Sequence, residues 1–237
     1  MEEAKLTFKR YEKKYLLTRE QYERLWQSLS AYIEPDEYFK STVCSVYYDT
    51  PDYALIRRSL DKPVYKEKLR LRSYNVPGED DMVFLELKKK YKGIVYKRRA
   101  MLRAREAGEY LAGLRPAPNG GQVMREIDWF LRQNKVAPRA FIACDRAAYR
   151  GVENHELRIT FDRDIRWRET ELDLTRGSDG RPLLRDGQVL MEIKMPEAAP
   201  LWLARILSEQ GIFPVGFSKY GTCYEANIMN GVFSYAQ

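Results

Sequence analysis

The sequence predicts an α+β fold: an antiparallel β-barrel or tunnel of about eight strands, with a charged interior and helices packed outside. Three observations predict it. The helical stretches are interspersed among the strands and do not alternate with them one to one, which argues against a doubly wound parallel sheet. The strands place apolar residues on one face and charged residues on the other. The amphipathic helices need a partner for their apolar sides, and the apolar strand faces supply it. No low-complexity region or long linker divides the chain, so one domain over 1–237 is expected.

The elements follow in order. An extended segment over 6–17 places Arg10, Glu12 and Lys14 on one face. Thr18 and Gln21 form a capping box that opens a helix with Tyr22, Leu25, Trp26 and Leu29 on one side. A strand at 43–48 ends at Asp49-Thr50-Pro51-Asp52, where Thr50 as N-cap and Pro51 at the first helical position predict a short helix. Long strands are expected over 64–74, 82–91 and 93–103, with Gly93 at the turn between the last two. Helices are expected over 104–114 and 122–134, the second carrying Val123, Ile127, Phe130 and Leu131 at helical spacing. Further strands fall at 139–149, 155–162, 164–172 and 188–195, a helix at 199–210 ends at Gly211, and a last short helix begins at Ser218.

Composition excludes several chemistries. The chain has 237 residues, 41 Lys and Arg against 34 Asp and Glu, and a net charge of +7, which suggests an anionic partner. Its 44% hydrophobic and 32% charged residues fit a folded chain with a sizeable core. His155 is the single histidine, so a His-rich metal site is impossible; it is expected at a strand start or in a loop, outside the chemistry. Cys44, Cys144 and Cys223 are widely spaced and form no CxxC pair, so reduced, buried thiols are expected. There is no P-loop or GxGxxG motif. No apolar run approaches the ~20 residues of a membrane span, and the N-terminus has no apolar signal-peptide core, so a cytoplasmic location is expected.

Strand parity locates the charge. One face of 64–74 carries Lys66, Lys68, Arg70 and Arg72, opposite Leu69 and Leu71. Glu86 and Lys88 share a face opposite Val83, Leu85 and Leu87; Lys97 and Arg99 share a face of the next strand. A carboxylate followed two residues later by a base recurs as Glu12/Lys14, Glu86/Lys88, Glu156/Arg158 and Glu192/Lys194. Taken strand by strand, the plain reading is a solvated polar face whose ion pairs contribute little. Taken together, helices covering the apolar face of a closed barrel from outside force the charges inward. An empty lumen with surplus cations is unfavourable; a polyanion relieves it, and interspersed carboxylates suit a divalent cation. Phosphoryl transfer has these needs and requires no histidine.

At this point the residues resemble a family: the VTC domain, the polyphosphate polymerase domain within the triphosphate tunnel metalloenzyme superfamily. The matching segments are Arg10-Tyr11-Glu12-Lys13-Lys14-Tyr15, Val46-Tyr47-Tyr48-Asp49-Thr50-Pro51, Lys68-Leu69-Arg70-Leu71-Arg72, Glu86-Leu87-Lys88, Tyr96-Lys97-Arg98-Arg99, Arg146, Glu156-Leu157-Arg158, Met191-Glu192-Ile193-Lys194 and Phe217-Ser218-Lys219. They occur in family order over nearly the whole chain. The resemblance implies an antiparallel tunnel holding triphosphate or polyphosphate with a divalent metal, Mn²⁺ or Mg²⁺. It also implies transfer of the γ-phosphate of ATP to a growing polyphosphate chain. It assigns catalytic roles to Arg70, Arg72, Lys97, Arg158 and Lys194, and substrate binding to Lys14, Lys88, Arg146, Ser218 and Lys219. Ser218 would act from a helix N-terminus. Glu192 is the leading metal ligand, followed by Glu86 and Glu12. Two positions depart from the pattern: Arg10 stands where the wider superfamily has a carboxylate, and Gly216 where family polymerases tend to carry a lysine.

Other readings stay open beside this one. They are hydrolysis of tripolyphosphate or nucleoside triphosphate, polyphosphate binding without turnover, and, last, a surface nucleic-acid binder. The 17 tyrosines are read as core packing ahead of nucleobase stacking. In Lys88-Lys89-Lys90, strand geometry sends Lys89 to the opposite face, where a solvated strand end is expected. No nucleic-acid partner or membrane segment is expected.

Overall fold

A computed structural model of the chain describes residues 11–92, 94–118, 121–196 and 198–228. Arg10, Gly93 and the expected start of the first strand, 6–10, lie outside the described residues.

The strands are β1 (Tyr11–Leu17), β2 (Ile33–Asp49), β3 (Tyr65–Tyr74), β4 (Met82–Tyr91), β5 (Ile94–Arg103), β6 (Ala137–Gly151), β7 (Arg158–Arg168), β8 (Arg181–Pro182) and β9 (Val189–Met195). The helices are α1 (Arg19–Leu29), α2 (Ala54–Leu60), α3 (Ala104–Leu111), α4 (Gly121–Asn134), α5 (Leu201–Glu209) and α6 (Lys219–Cys223), followed by one π-helical turn, Tyr224–Ile228. The strands hydrogen-bond in the order β1-β9-β7-β6-β2-β3-β4-β5, with β8 beside β7. The registers of β1 with β9, β7 with β8 and β9, and β3 with β2 and β4 are antiparallel, as is that of β4 with β5. The fold is therefore α+β on an antiparallel sheet. Among the described residues it has nine strands, the two-residue β8 being too short to leave a sequence signal. Its pairing path runs from β1 to β5. Among the described residues no helix is long and apolar enough to cross a membrane.

The chain divides into two compact units. The first comprises Met1–Ser41, Asp145–Asp164 and Leu184–Phe217. Its core joins Tyr15 and Leu17 of β1, Ile159 and Phe161 of β7 and Met191 and Ile193 of β9 to Leu25 and Leu29 of α1 and Leu203 and Leu207 of α5. The second comprises Thr42–Cys144, Ile165–Leu183 and Ser218–Gln237. There Leu69 and Leu71 of β3 and Val83, Leu85 and Leu87 of β4 pack on Ala107 and Tyr110 of α3 and Met124, Ile127 and Phe130 of α4. In both units the helices cover the apolar strand faces, so the charged faces point away from the helices.

Local chemistry explains where elements begin. The capping box of α1 forms as expected: Gln21 N–H donates to Thr18 Oγ1 at 3.2 Å and Thr18 N–H to Gln21 Oε1 at 3.0 Å. Helix α2 starts later than Thr50-Pro51 predicts. Its N-cap is Tyr53, in the left-handed region at φ 59°. Thr50 Oγ1 accepts from Ala54 N–H at 2.8 Å, while buried Asp49 accepts from Leu55 N–H at 2.9 Å and Ile56 N–H at 3.0 Å. The expected capping groups therefore act on α2 from a turn outside it.

Strand β2 is longer than expected, extending back to Ile33 through a half-exposed stretch that contains Pro35. The two strands expected at 155–162 and 164–172 are one strand, β7, which passes through Asp164 at φ 46°. It ends at Arg168 because that buried guanidinium organises the loop beyond it. Arg168 lies 3.6 Å from the Phe141 ring centroid and donates to the carbonyl oxygens of Glu171, Asp173, Gly177 and Asp179. Gly180 is required in this loop, since a Cβ there would come within 2.7 Å of the Trp167 carbonyl oxygen. The three thiols are buried and free, and burial pushes Cys44 up to about 11 and Cys223 up to about 12.

Candidate functional site

The second unit carries the stronger charge asymmetry. On β3 to β5, the face turned from the core holds Lys66, Lys68, Arg70 and Arg72, then Lys88 and Lys90, then Lys97, Arg99 and Arg103. Among the described residues of these strands, Glu86 is the one carboxylate on that face. Antiparallel register stacks these residues in rows. Tyr47, Arg70, Glu86 and Arg99 lie directly opposite one another on β2, β3, β4 and β5. The next row is Lys68, Lys88 and Lys97.

Glu86 is 1% exposed and holds three cations. Arg70 Nε and Nη2 lie 2.7 and 2.6 Å from Oε2, and Arg99 Nε and Lys97 Nζ each lie 2.7 Å from Oε1. Burial alone would raise the Glu86 carboxyl, but Arg70, Arg72 and Lys97 outweigh it and hold the group well below the usual carboxylate range. Burial lowers Lys97 despite Glu86 beside it. Arg70 also donates to Tyr47 Oη at 3.3 Å, and Arg72 to Ser45 Oγ at 3.3 Å. The Tyr47 phenol would rise with burial, but the Arg70 and Arg72 charges bring it below its ordinary value.

Ser218 caps α6 by accepting from Gly221 N–H at 3.2 Å and also accepts from Lys68 Nζ at 2.8 Å. Its own O–H proton remains to be donated. Lys219 is the first residue of α6 and contributes to the field that lowers Tyr47.

The first unit carries a mixed-charge face. Lys14, Glu192 and Thr160 form one cross-strand row on β1, β9 and β7; Glu12, Lys194 and Arg158 form the next. Lys14 Nζ lies 3.6 Å from Glu12 Oε1 and 3.7 Å from Glu192 Oε2 and donates to the Phe217 carbonyl oxygen at 3.1 Å. Lys194 Nζ is 2.6 Å from Glu192 Oε1. Burial would raise Glu192, but Lys194, Lys14 and Arg146 hold it well below its usual range. Arg146 grips buried Asp162 through two bonds, Nε to Oδ1 at 2.6 Å and Nη2 to Oδ2 at 2.8 Å. Arg158 is half-exposed, with Nε 3.7 Å from Asp36 Oδ2.

The expected residues thus gather within each unit. Arg70, Arg72, Lys88, Lys97, Ser218 and Lys219 belong to the second; Glu12, Lys14, Arg146, Arg158, Glu192 and Lys194 belong to the first. Three expectations change. Glu156 lies in the turn before β7, not beside Arg158 on a strand face, because its N–H donates to Asn154 Oδ1. Lys89 is not a solvated strand end: it pairs with Glu126 of α4 at 3.1 Å. Glu86 already has both oxygens engaged by Arg70, Arg99 and Lys97. Arg99, Tyr47 and Asp162 carry no role in the sequence reading, although parity puts Arg99 on the same strand face as Lys97. His155 sits exposed in a turn, 3.9 Å from Glu34.

Among the described residues, no group of three or more His, Cys, Asp or Glu side chains is disposed to hold a metal ion by itself.

Comparison with known proteins fits this geometry. No curated protein matches the chain by sequence. A proposed adenylate cyclase from Bacillus halodurans is 16% identical and shares the fold with a TM-score of 0.55, over 89% of this chain and 95% of that one. A second proposed adenylate cyclase, from Vibrio parahaemolyticus, is 12% identical with a TM-score of 0.48, over 91% and 97%. The VTC domain family model matches residues 9–228, a span that contains every residue of the two charged faces. By that match the chain belongs to the VTC domain family.

Proposed function

We propose that this protein transfers phosphoryl groups, and specifically that it builds polyphosphate from ATP with a divalent metal, Mn²⁺ or Mg²⁺. Family and fold support triphosphate binding and phosphoryl transfer in general. The observation that carries the reading is the Lys68–Lys88–Lys97 row set beside Arg70–Glu86–Arg99. Like charges directly opposite in a sheet are destabilising, and one carboxylate does not neutralise them. A chain of phosphates, with negative charge at regular intervals, does.

In this reading Arg70, Arg72, Lys88 and Lys97 bind and orient the phosphates, with Ser218 donating its hydroxyl proton and Lys219 adding charge. Lys14, Arg146, Arg158 and Lys194 bind phosphate on the first unit's face. In the first unit Glu12 and Glu192 would hold a divalent ion between them in place of the Lys14 ammonium, which lies 3.6 and 3.7 Å from their oxygens, beyond hydrogen-bond distance. Glu86 does not fit, since three cations saturate it. When bound, the metal neutralises charge on the phosphate oxygens.

In the reaction a terminal oxygen of the growing chain bonds to the γ-phosphorus of ATP. The bond from that phosphorus to the β–γ bridging oxygen breaks, and ADP leaves. The attacking oxygen is already ionised, so no general base is required.

The test is incubation of the purified protein with ATP and Mn²⁺ or Mg²⁺, assayed for polyphosphate, ADP and free phosphate. Polyphosphate that vanishes in Arg70→Ala and Glu192→Gln is expected. Phosphate release without chain growth would assign a hydrolase instead, and binding without turnover a polyphosphate-binding module.

A further inference from the structure

The charged face of the second unit changes character at one end. Beyond the Glu86 row, the same face carries a row of Arg72, Phe84 and Met101, then Met82 opposite Arg103, with Tyr74 on β3, so apolar side chains stand between arginines there. Met101 lies directly opposite Phe84. Tyr74 is 41% exposed, Met82 46% and Met101 60%. The helices pack on the opposite face, so these side chains are not core residues of β3 to β5. Single exposed apolar residues need no explanation, but neighbours gathered in successive rows on an otherwise cationic face do.

The patch has an internal geometry. The Tyr74 and Phe84 rings meet edge to face, with centroids 5.8 Å apart and planes at 75°. The Arg99 guanidinium lies over Phe84, 4.4 Å from its centroid. Phe84 stands two residues from Glu86 along β4, about 7 Å, and Met82 four, about 13 Å. This aromatic corner, with thioethers beside it, thus adjoins the Arg70–Glu86–Arg99 row on the same face.

We propose that Tyr74, Phe84, Met82 and Met101 form the base subsite for the nucleoside triphosphate donor. This rests on the phosphoryl-transfer reading above. Inorganic polyphosphate has no apolar surface to offer these side chains, whereas every nucleobase has a π-face that stacks on an aromatic ring. Arg99 links the two parts, its charge serving the phosphates and its plane stacking on Phe84. Stacking is tolerant of base identity, so purines bind better than pyrimidines through larger overlap, with little further discrimination.

The experiment is calorimetric titration of the full chain with ATP and, separately, with inorganic tripolyphosphate. Tyr74→Ala should weaken ATP binding about tenfold, the loss of one base-stacking contact, and leave tripolyphosphate binding unchanged. Tyr74→Phe should retain ATP affinity, and Met101→Ala, at an exposed position, should weaken ATP by a smaller factor. Equal loss of both ligands in Tyr74→Ala would mean that the tyrosine acts through Arg99 and would overturn the subsite. Unchanged ATP binding in both alanine variants would overturn it while leaving the phosphate-binding reading intact. Failure of the parent to bind either ligand would remove both readings. A single-stranded RNA bound more tightly than ATP would make the patch a nucleic-acid platform and would also overturn it.

Discussion

Glu86 carries three cations at hydrogen-bond distance while almost wholly buried, so replacing it leaves Arg70, Lys97 and Arg99 facing one another. Breaking a buried ion cluster by removing one partner costs about 3–5 kcal/mol, and Glu86→Gln should show a loss of this order in urea denaturation at pH 7. The pH dependence has a definite sign. The folded Glu86 carboxyl lies below its unfolded value, so its contribution is complete above about pH 4.3 and is lost as the solution becomes more acid. The parent should therefore lose stability below that pH more steeply than Glu86→Gln. Parallel acid profiles for the two proteins would show that the carboxylate is not held as described. Tripolyphosphate adds a second readout. It supplies the missing negative charge, so it should raise the melting temperature of Glu86→Gln more than that of the parent.

At the scale of elements, strand parity was the legible part. Its period of two separates Leu69 and Leu71 from Arg70 and Arg72 without any knowledge of the partner strands, and the observed cores use the expected faces. Parity does not give register, so it could not say that Glu86 falls between Arg70 and Arg99, or that Asp162 grips one edge of the Arg146 guanidinium through two hydrogen bonds. Helix α1 was legible because Thr18 and Gln21 cap it locally. Helix α2 was not, because Asp49 and Thr50 act on it across the turn at Tyr53. The start of β2 was obscured by weak alternation and Pro35, and the continuity of β7 by the left-handed residue Asp164. The helix-covered face makes its own prediction. Leu87→Ala removes a fully buried side chain from β4 and should cost about 2–5 kcal/mol. Because Leu87 points away from the cation rows, tripolyphosphate affinity should survive the substitution under folding conditions. A parallel loss of affinity would show that the two faces are not separable.

At the scale of the whole molecule, the net charge of +7 understates the field that a ligand meets. Carboxylates elsewhere offset lysines and arginines, as Glu126 does with Lys89 and Arg98 on the helix-covered side of the second unit. The β3–β5 face keeps one carboxylate against its lysines and arginines. The most direct measurement is calorimetric titration of the parent and Arg70→Ala with inorganic tripolyphosphate at low and high salt. The account predicts saturable binding that weakens as salt rises, and a marked loss of affinity in Arg70→Ala at both salt concentrations. Binding of equal strength in parent and variant, or no binding by the parent, would contradict it.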